Sequence, residues 1–202
     1  MRPRRYIFFG HIFSKISLFF LSLPPIMTKQ KILAVKTNRH VMDLSTEVLA
    51  TFPNNGSVTV YNVIDRTTAD YGRILNCAMF FARLGKNVII TPKVDVPYKN
   101  SAYDKIYNSL KGTAYFGKCP DLQINTEWYE HEGFSGNNPK RSFRNMCNHG
   151  FKQSDKIIIE DCGLSDGYML RSLEGQIKAG TKVSELWVHS NNECRQVFKT
   201  ES

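Results

Sequence analysis

The chain has no Walker phosphate loop, no glycine-rich dinucleotide fingerprint, no Gly-x-Ser-x-Gly elbow and no His-Glu-x-x-His helix. The usual local marks of phosphate-loop nucleotidases, dehydrogenases, serine hydrolases and zinc peptidases are therefore missing. Internal repeats and low-complexity tracts are absent too, which removes solenoids and repeat arrays. The five cysteines, Cys77, Cys119, Cys147, Cys162 and Cys194, are odd in number and none belongs to a Cys-x-x-Cys pair. Neither a disulfide framework nor a zinc site is expected; the pattern fits reduced thiols in a reducing compartment. Acids are scarce: 18 Asp+Glu face 27 Lys+Arg, a formal charge of +9. That balance favours a polyanion partner, either nucleic acid or an acidic membrane surface. What is present suffices for a core, with 42% hydrophobic and 12% aromatic residues over 202, a length that fits one domain with at most a small appendage.

Residues 1–26 differ from the rest. Met1 to Arg5 is basic and Ile7 to Leu23 is mostly apolar. One reading is a signal peptide or membrane anchor. Against it, His11 and Lys15 interrupt the run, and Pro24-Pro25-Ile26 offers no small-residue cleavage site. The run is also marginal beside the ~20 apolar residues of a bilayer span. The other reading starts the protein at Met27, leaving 27–202 as a single α+β domain. Without residues 1–26 the charge falls from +9 to +5, since they hold four cations and no acid. Membrane attachment is thus disfavoured, although the extension leaves a membrane or secretion route open beside a cytoplasmic site of action.

Pattern and turn chemistry place the elements. Lys31–Lys36 is a short apolar run, and Asp43–Thr51 is expected to form one or two helical turns ending before Pro53. Asn54-Asn55-Gly56 is a turn, and Val58–Ile64 alternates like a strand. Thr67 or Thr68 caps a helix over Ala69–Leu84 that Gly85 terminates. Val88–Ile90 is a buried strand. Thr91–Gly117 is a long polar connection holding a tyrosine patch (Tyr98, Tyr103, Tyr107, Tyr115) and Lys93, Lys99, Lys105 and Lys111; a loop of that length is functional or mobile. Then come a hairpin over Asp121–Glu132, a helix over Pro139–Gly150, a strand over Lys156–Glu160, a helix over Asp166–Ala179 with Met169, Leu170, Leu173 and Ile177 inward, and a last hairpin over Glu185–Thr200. The expected fold class is α+β: a mixed, largely antiparallel sheet with helices packed on it.

The hairpin carries the chemistry. A two-residue turn at Asn125-Thr126 pairs Ile124 with Glu127, Gln123 with Trp128, Leu122 with Tyr129 and Asp121 with Glu130. Paired residues share a face, so Leu122, Ile124 and Tyr129 suit a core. The other face gathers Asp121, Glu130 and Glu132. Like charges directly opposite destabilise a sheet unless a cation offsets them. A divalent metal such as Mg2+ fits such a face, with Asp121 and Glu130 as its ligands; an ordinary solvated acidic face is the plain alternative. Lys140, Arg141, Arg144, Lys152 and Lys156 follow directly, suited to holding phosphate or to forming a solvated, salt-bridged helix face. Lys152, Gln153 and Ser154 close the helix at a junction from which side chains reach over the sheet edge. His131 and His189 are candidate acid–base groups, His131 pointing away from the glutamates in a regular strand. Trp128 and Trp187 are candidate base-stacking platforms or core residues.

Ordered pieces of the chain carry a resemblance: Ala78–Pro92, Lys118–Ile124, Trp128-Tyr129-Glu130, Gly150–Ile159, Ile177–Gly180 and Glu185–Val188. They are spread along the roughly 120 residues from Ala78 to the C-terminus. The stretch resembles the C-terminal tRNA-nuclease toxin domains of contact-dependent growth inhibition proteins and their mobile-element relatives. The Pro120-Asp121 pair and the downstream Glu130 resemble the PD-(D/E)xK nuclease motif, except that Glu132 stands at the position of its lysine. The resemblance implies a nuclease-like ββαβαββ core and cleavage of RNA, in particular tRNA. It makes Asp121, Glu130 and Glu132 the catalytic acids and Lys152 the replacement cation. Arg141, Arg144, Gln153 and Lys156 would bind nucleic acid. It implies either a divalent cofactor or a metal-independent reaction, and an immunity protein as partner. The rival reading is a non-catalytic nucleic-acid-binding or accessory protein of a mobile element with a degenerate site.

Overall fold

Three asparagines adopt positive φ, Asn55 at 67°, Asn125 at 56° and Asn191 at 56°. Asn tolerates the left-handed region that tight hairpin turns demand. Each closes a two-stranded unit: β1 (Thr46–Thr51) with β2 (Ser57–Tyr61), β4 (Leu122–Ile124) with β5 (Glu127–Glu132), and β7 (Glu185–Ser190) with β8 (Glu193–Lys199). The computed structural model describes residues 44–94 and 101–201. The expectations for residues 1–26, for Lys31–Lys36, and for Tyr98 and Lys99 lie outside them.

The remaining elements are α1 (Ala69–Arg83), β3 (Asn87–Ile90), α2 (Ser101–Ile106), a 3-10 turn at Asn108–Leu110, α3 (Pro139–Gly150), β6 (Lys156–Glu160) and α4 (Asp166–Lys178). All eight strands form one mixed sheet in the order β1 to β8. Four pairings are antiparallel; β2–β3, β5–β6 and β6–β7 are parallel. Helices bridge the parallel pairs, as a crossover requires. The sheet is therefore mixed, as expected, but less dominated by antiparallel pairs.

Capping explains the helix starts. The Thr68 side chain accepts from Tyr71 N–H, Asn138 from Arg141 N–H with Pro139 just inside, and Ser165 from Tyr168 N–H. Alternation along β6 then divides the core. Ile158 joins the cluster under α1 with Val58, Val88, Leu122 and Tyr129. Ile157 and Ile159 join Phe143, Met146 and Leu173 under α3 and α4 on the opposite face.

Several expectations change. Thr46–Thr51 is an edge strand, not a helix, because it pairs with β2 across the 52–56 turn. The strand from Val58 stops at Tyr61, where Ile64 N–H turns back to the Tyr61 carbonyl at 3.1 Å. The 91–117 connection holds secondary structure from residue 101 on: α2 and the 3-10 turn bury Tyr103, Tyr107 and Leu110 against Trp128. Trp128 and Trp187 are packed side chains, against Tyr107 and Phe81 at ring-centroid separations of 5.1 and 5.0 Å, and offer no open stacking platform. Ile177 is 39% exposed at the end of α4 rather than inward. Among the described residues no helix is long and apolar enough to cross a membrane.

Candidate active site

The excursion between β3 and β4 sets up the site. Its two ends lie side by side, Thr91 N–H donating to the Asp121 carbonyl at 3.0 Å. The Thr91 hydroxyl donates to the Pro120 carbonyl at 2.5 Å, and the buried Tyr107 hydroxyl donates to the Pro92 carbonyl at 2.7 Å. Pro92 and Pro120 are thereby pinned on either side of Lys93 and Asp121. Asp121 immediately precedes β4, whose pairs Leu122–Tyr129, Gln123–Trp128 and Ile124–Glu127 follow the register that the sequence indicates and, continued by one residue, set it across from Glu130 on β5.

Lys93 closes the acidic face. Its Nζ stands 3.0 Å from Asp121 Oδ1, 3.1 and 3.3 Å from the two Glu130 oxygens, and 2.9 Å from the Cys119 carbonyl. Asp121 Oδ2 accepts the backbone N–H of His131 at 3.2 Å. Burial pulls the Lys93 ammonium down, but Asp121 and Glu130 together outweigh that and hold it above its ordinary range. Glu130, 3% exposed, is pushed well up, first by burial and then by Asp121, with Lys93 opposing. Glu132, two residues along the same face, is raised by burial while its hydrogen bond to His149 opposes the rise. His149 Nδ1 on the last turn of α3 meets Glu132 Oε1.

A cavity of about 300 Å³ opens over these groups, lined by Lys93, Lys118, Cys119, Glu130, His149 and Gln153 among others. Donor atoms of Glu130, Glu132 and His149 all lie within 4.8 Å of one another, a group able to hold a metal ion. The two segments that supply Lys118 and Cys119, and His149 and Gln153, are free of acids. Residues 105–120 contain no Asp or Glu but hold Lys105, Lys111 and Lys118; residues 133–154 contain none but hold Lys140, Arg141, Arg144 and Lys152. Of the lining residues, Lys93 and Lys118 are the cations and Glu130 the carboxylate.

Of the residues singled out from sequence, the structure brings together Asp121, Glu130, Glu132 and Gln153. Arg141 and Arg144 lie exposed on α3. Lys152 is exposed in the turn after α3 and is not among the cavity's lining residues; the ammonium that meets Asp121 and Glu130 is that of Lys93. Lys156 is not at the acids either: its ammonium pairs with Glu127, because β6 alternation turns it to the other face. His131 and His189 also lie on that face, their ring nitrogens 3.4 Å apart. Lys93 and His149 are the two residues that sequence reasoning missed. Lys93 stands in the sequence only as one of four lysines of the long 91–117 connection, just past β3, the strand antiparallel to β4. Compared with protein-family models, curated proteins and solved structures, the chain matches none.

Proposed function

We propose that the domain is a nuclease that cleaves phosphodiester bonds of RNA, with tRNA the class that the resemblance implies. The observation that carries this reading is the buried Asp121–Glu130 pair meeting the Lys93 ammonium beside a cavity that Lys118, His149 and Gln153 also line, the last three coming from segments without an acid. Lys93 and Lys118 at the cavity, with the exposed Arg141 and Arg144 of α3, would draw in a polyanion without sequence preference. The Lys93 ammonium, fixed by two carboxylates, is positioned to stabilise charge on a phosphate oxygen as the bond is attacked. Glu130, with its raised proton affinity, is suited to moving a proton. With no ion bound, His149, oriented by Glu132 through Nδ1, leaves Nε2 for the same purpose. A divalent cation, when bound among the acids, would polarise the phosphate and activate water.

The test is the purified full-length chain against total RNA, with and without EDTA, beside Lys93→Met and the Asp121→Asn/Glu130→Gln double variant. Cleavage by wild type that both variants lose supports the reading. Intact RNA with wild type, or equal cleavage by all three, overturns it. The rival, a non-catalytic RNA binder, draws on Glu132 standing at the motif's lysine position. It predicts salt-sensitive RNA binding that leaves the RNA whole.

A further inference from the structure

The acids beside the cavity outnumber the cation that meets them. Asp121 and Glu130 share the one ammonium of Lys93 while Glu132 lies beside them, and Asp121 and Glu130 are 8% and 3% exposed. Buried charge of one sign is costly unless balanced. The three are not equally engaged. Asp121 uses one oxygen on Lys93 and the other on His131 N–H. Glu132 is held by His149 from α3, and Glu130 lies between the two groups.

The helix is shaped for this meeting. A methyl group on Gly150 would stand 3.1 Å from Glu132 Cγ and 3.1 Å from Ile157 Cγ2. Glycine beside His149 is what allows the Glu132 side chain to lie against the end of α3. Two donors each about 2.1 Å from one ion stand at most about 4.2 Å apart. The group of Glu130, Glu132 and His149, within 4.8 Å, therefore closes on a cation with shifts of roughly an ångström. The open cavity gives an ion its entry path and leaves room for waters.

We propose that Glu130, Glu132 and His149 form a divalent metal site with Asp121 outside the ligand set, and that the site prefers transition ions such as Mn2+ or Zn2+ to Mg2+. Magnesium takes oxygen ligands in near-ideal octahedra. A set with an imidazole and two carboxylates shifts affinity towards first-row transition ions. The inference deepens the nuclease reading and rests on it for what the ion would do, whereas ion binding itself is measured without RNA.

The experiment is Mn2+ binding to the full-length chain, followed by electron paramagnetic resonance and competed with Mg2+. Mn2+ avoids the thiol affinity that would complicate Zn2+. One Mn2+ per chain is expected, bound at least about tenfold tighter than Mg2+. His149→Ala and Glu132→Gln each weaken it by about tenfold or more. Gly150→Ala, which removes no donor, also weakens it, and Asp121→Asn leaves it within about threefold. Thermal melts check each variant, with His149→Asn standing in if the alanine variant fails to fold. No Mn2+ bound at millimolar concentration, binding indifferent to His149, or a loss as large in Asp121→Asn overturns the proposal. The two readings fail separately. Mn2+ bound through these ligands while RNA stays intact removes the nuclease and keeps the site. RNA cleaved in EDTA by a chain that binds no Mn2+ does the reverse.

Discussion

Lys93 joins two environments. Its side chain is 59% exposed, while its ammonium ends between carboxylates that are almost fully buried. Replacing it with Met leaves Asp121 and Glu130 facing each other with no cation. The loss of stability should fall below the ~3–5 kcal/mol of a fully buried pair, because Lys93 is partly solvated and Glu130 is already disposed to take up a proton. On the nuclease reading, Lys93→Met lowers the cleavage rate by about a hundredfold or more, the scale of losing one charge-stabilising donor. Tyr107 separates position from chemistry. Its hydroxyl meets the Pro92 and Pro120 carbonyls and the Thr91 side chain at the two ends of the excursion, and no group of the acidic cluster. Tyr107→Phe should cost about 1–2 kcal/mol and loosen Lys93. Cleavage would fall with the salt and pH profile unchanged, as expected of a positioning residue. A profile that moves with Tyr107→Phe would mean that the hydroxyl takes part in the reaction.

Elements meet closely at one end of the sheet. The β1–β2 turn rests on the C-terminus of α1: a Cβ on Gly56 would lie 1.9 Å from the Ala82 carbonyl oxygen and 3.1 Å from Gly85 Cα. Both obstacles are backbone, so Gly56→Ala must move the turn or the helix, at about 2–4 kcal/mol. Gly72 in α1 has nothing within 4 Å of its would-be Cβ, and Gly72→Ala should stabilise by about 0.5–1 kcal/mol through helix propensity. Denaturant melts of the two variants should shift in opposite directions. The same elements show what sequence could reveal. The Asn125 hairpin was legible down to its register because two local signals agree there: an alternation of Leu122, Ile124 and Tyr129, and a turn residue that accepts positive φ. Thr46–Thr51 was not legible. Its burial follows no period of two and it carries Leu49 and Ala50; the β-bulge between Val48 and Ala50 breaks the alternation that would have marked a strand. Lys93 and His149 were hidden for another reason: an excursion and a helix carry them to the acids, and no local pattern records where such segments return.

Across the whole molecule, the sheet separates two sets of ionisable groups that respond oppositely to acid. On the α1 side, burial lowers the pKa of His131 from 6.5 to about 3, with His189 and Arg73 adding to the effect and Asp70 opposing it. His189 is lowered as well, again chiefly by burial, with Glu160 opposing. A histidine with a depressed folded-state pKa binds its proton in the unfolded chain. Its contribution is therefore fully present above about pH 6.5 and is lost as pH falls towards about 3. By pH 5 the loss from His131 alone is about 2 kcal/mol. On the other side, Glu130 and Glu132 have raised pKa values. They bind protons more readily when folded and so favour the folded chain as pH drops. The net profile of the wild type mixes both responses. Their separation comes from His131→Gln, which keeps the backbone N–H that Asp121 accepts and removes the imidazole. The difference in unfolding free energy between wild type and variant, measured by urea melts from pH 8 to pH 4, should be flat above about pH 7 and should shift steadily in favour of the variant below it. A difference that stays constant across that range would mean that the His131 ring takes up a proton as easily in the folded protein as in water, contrary to its burial beside His189 under α1.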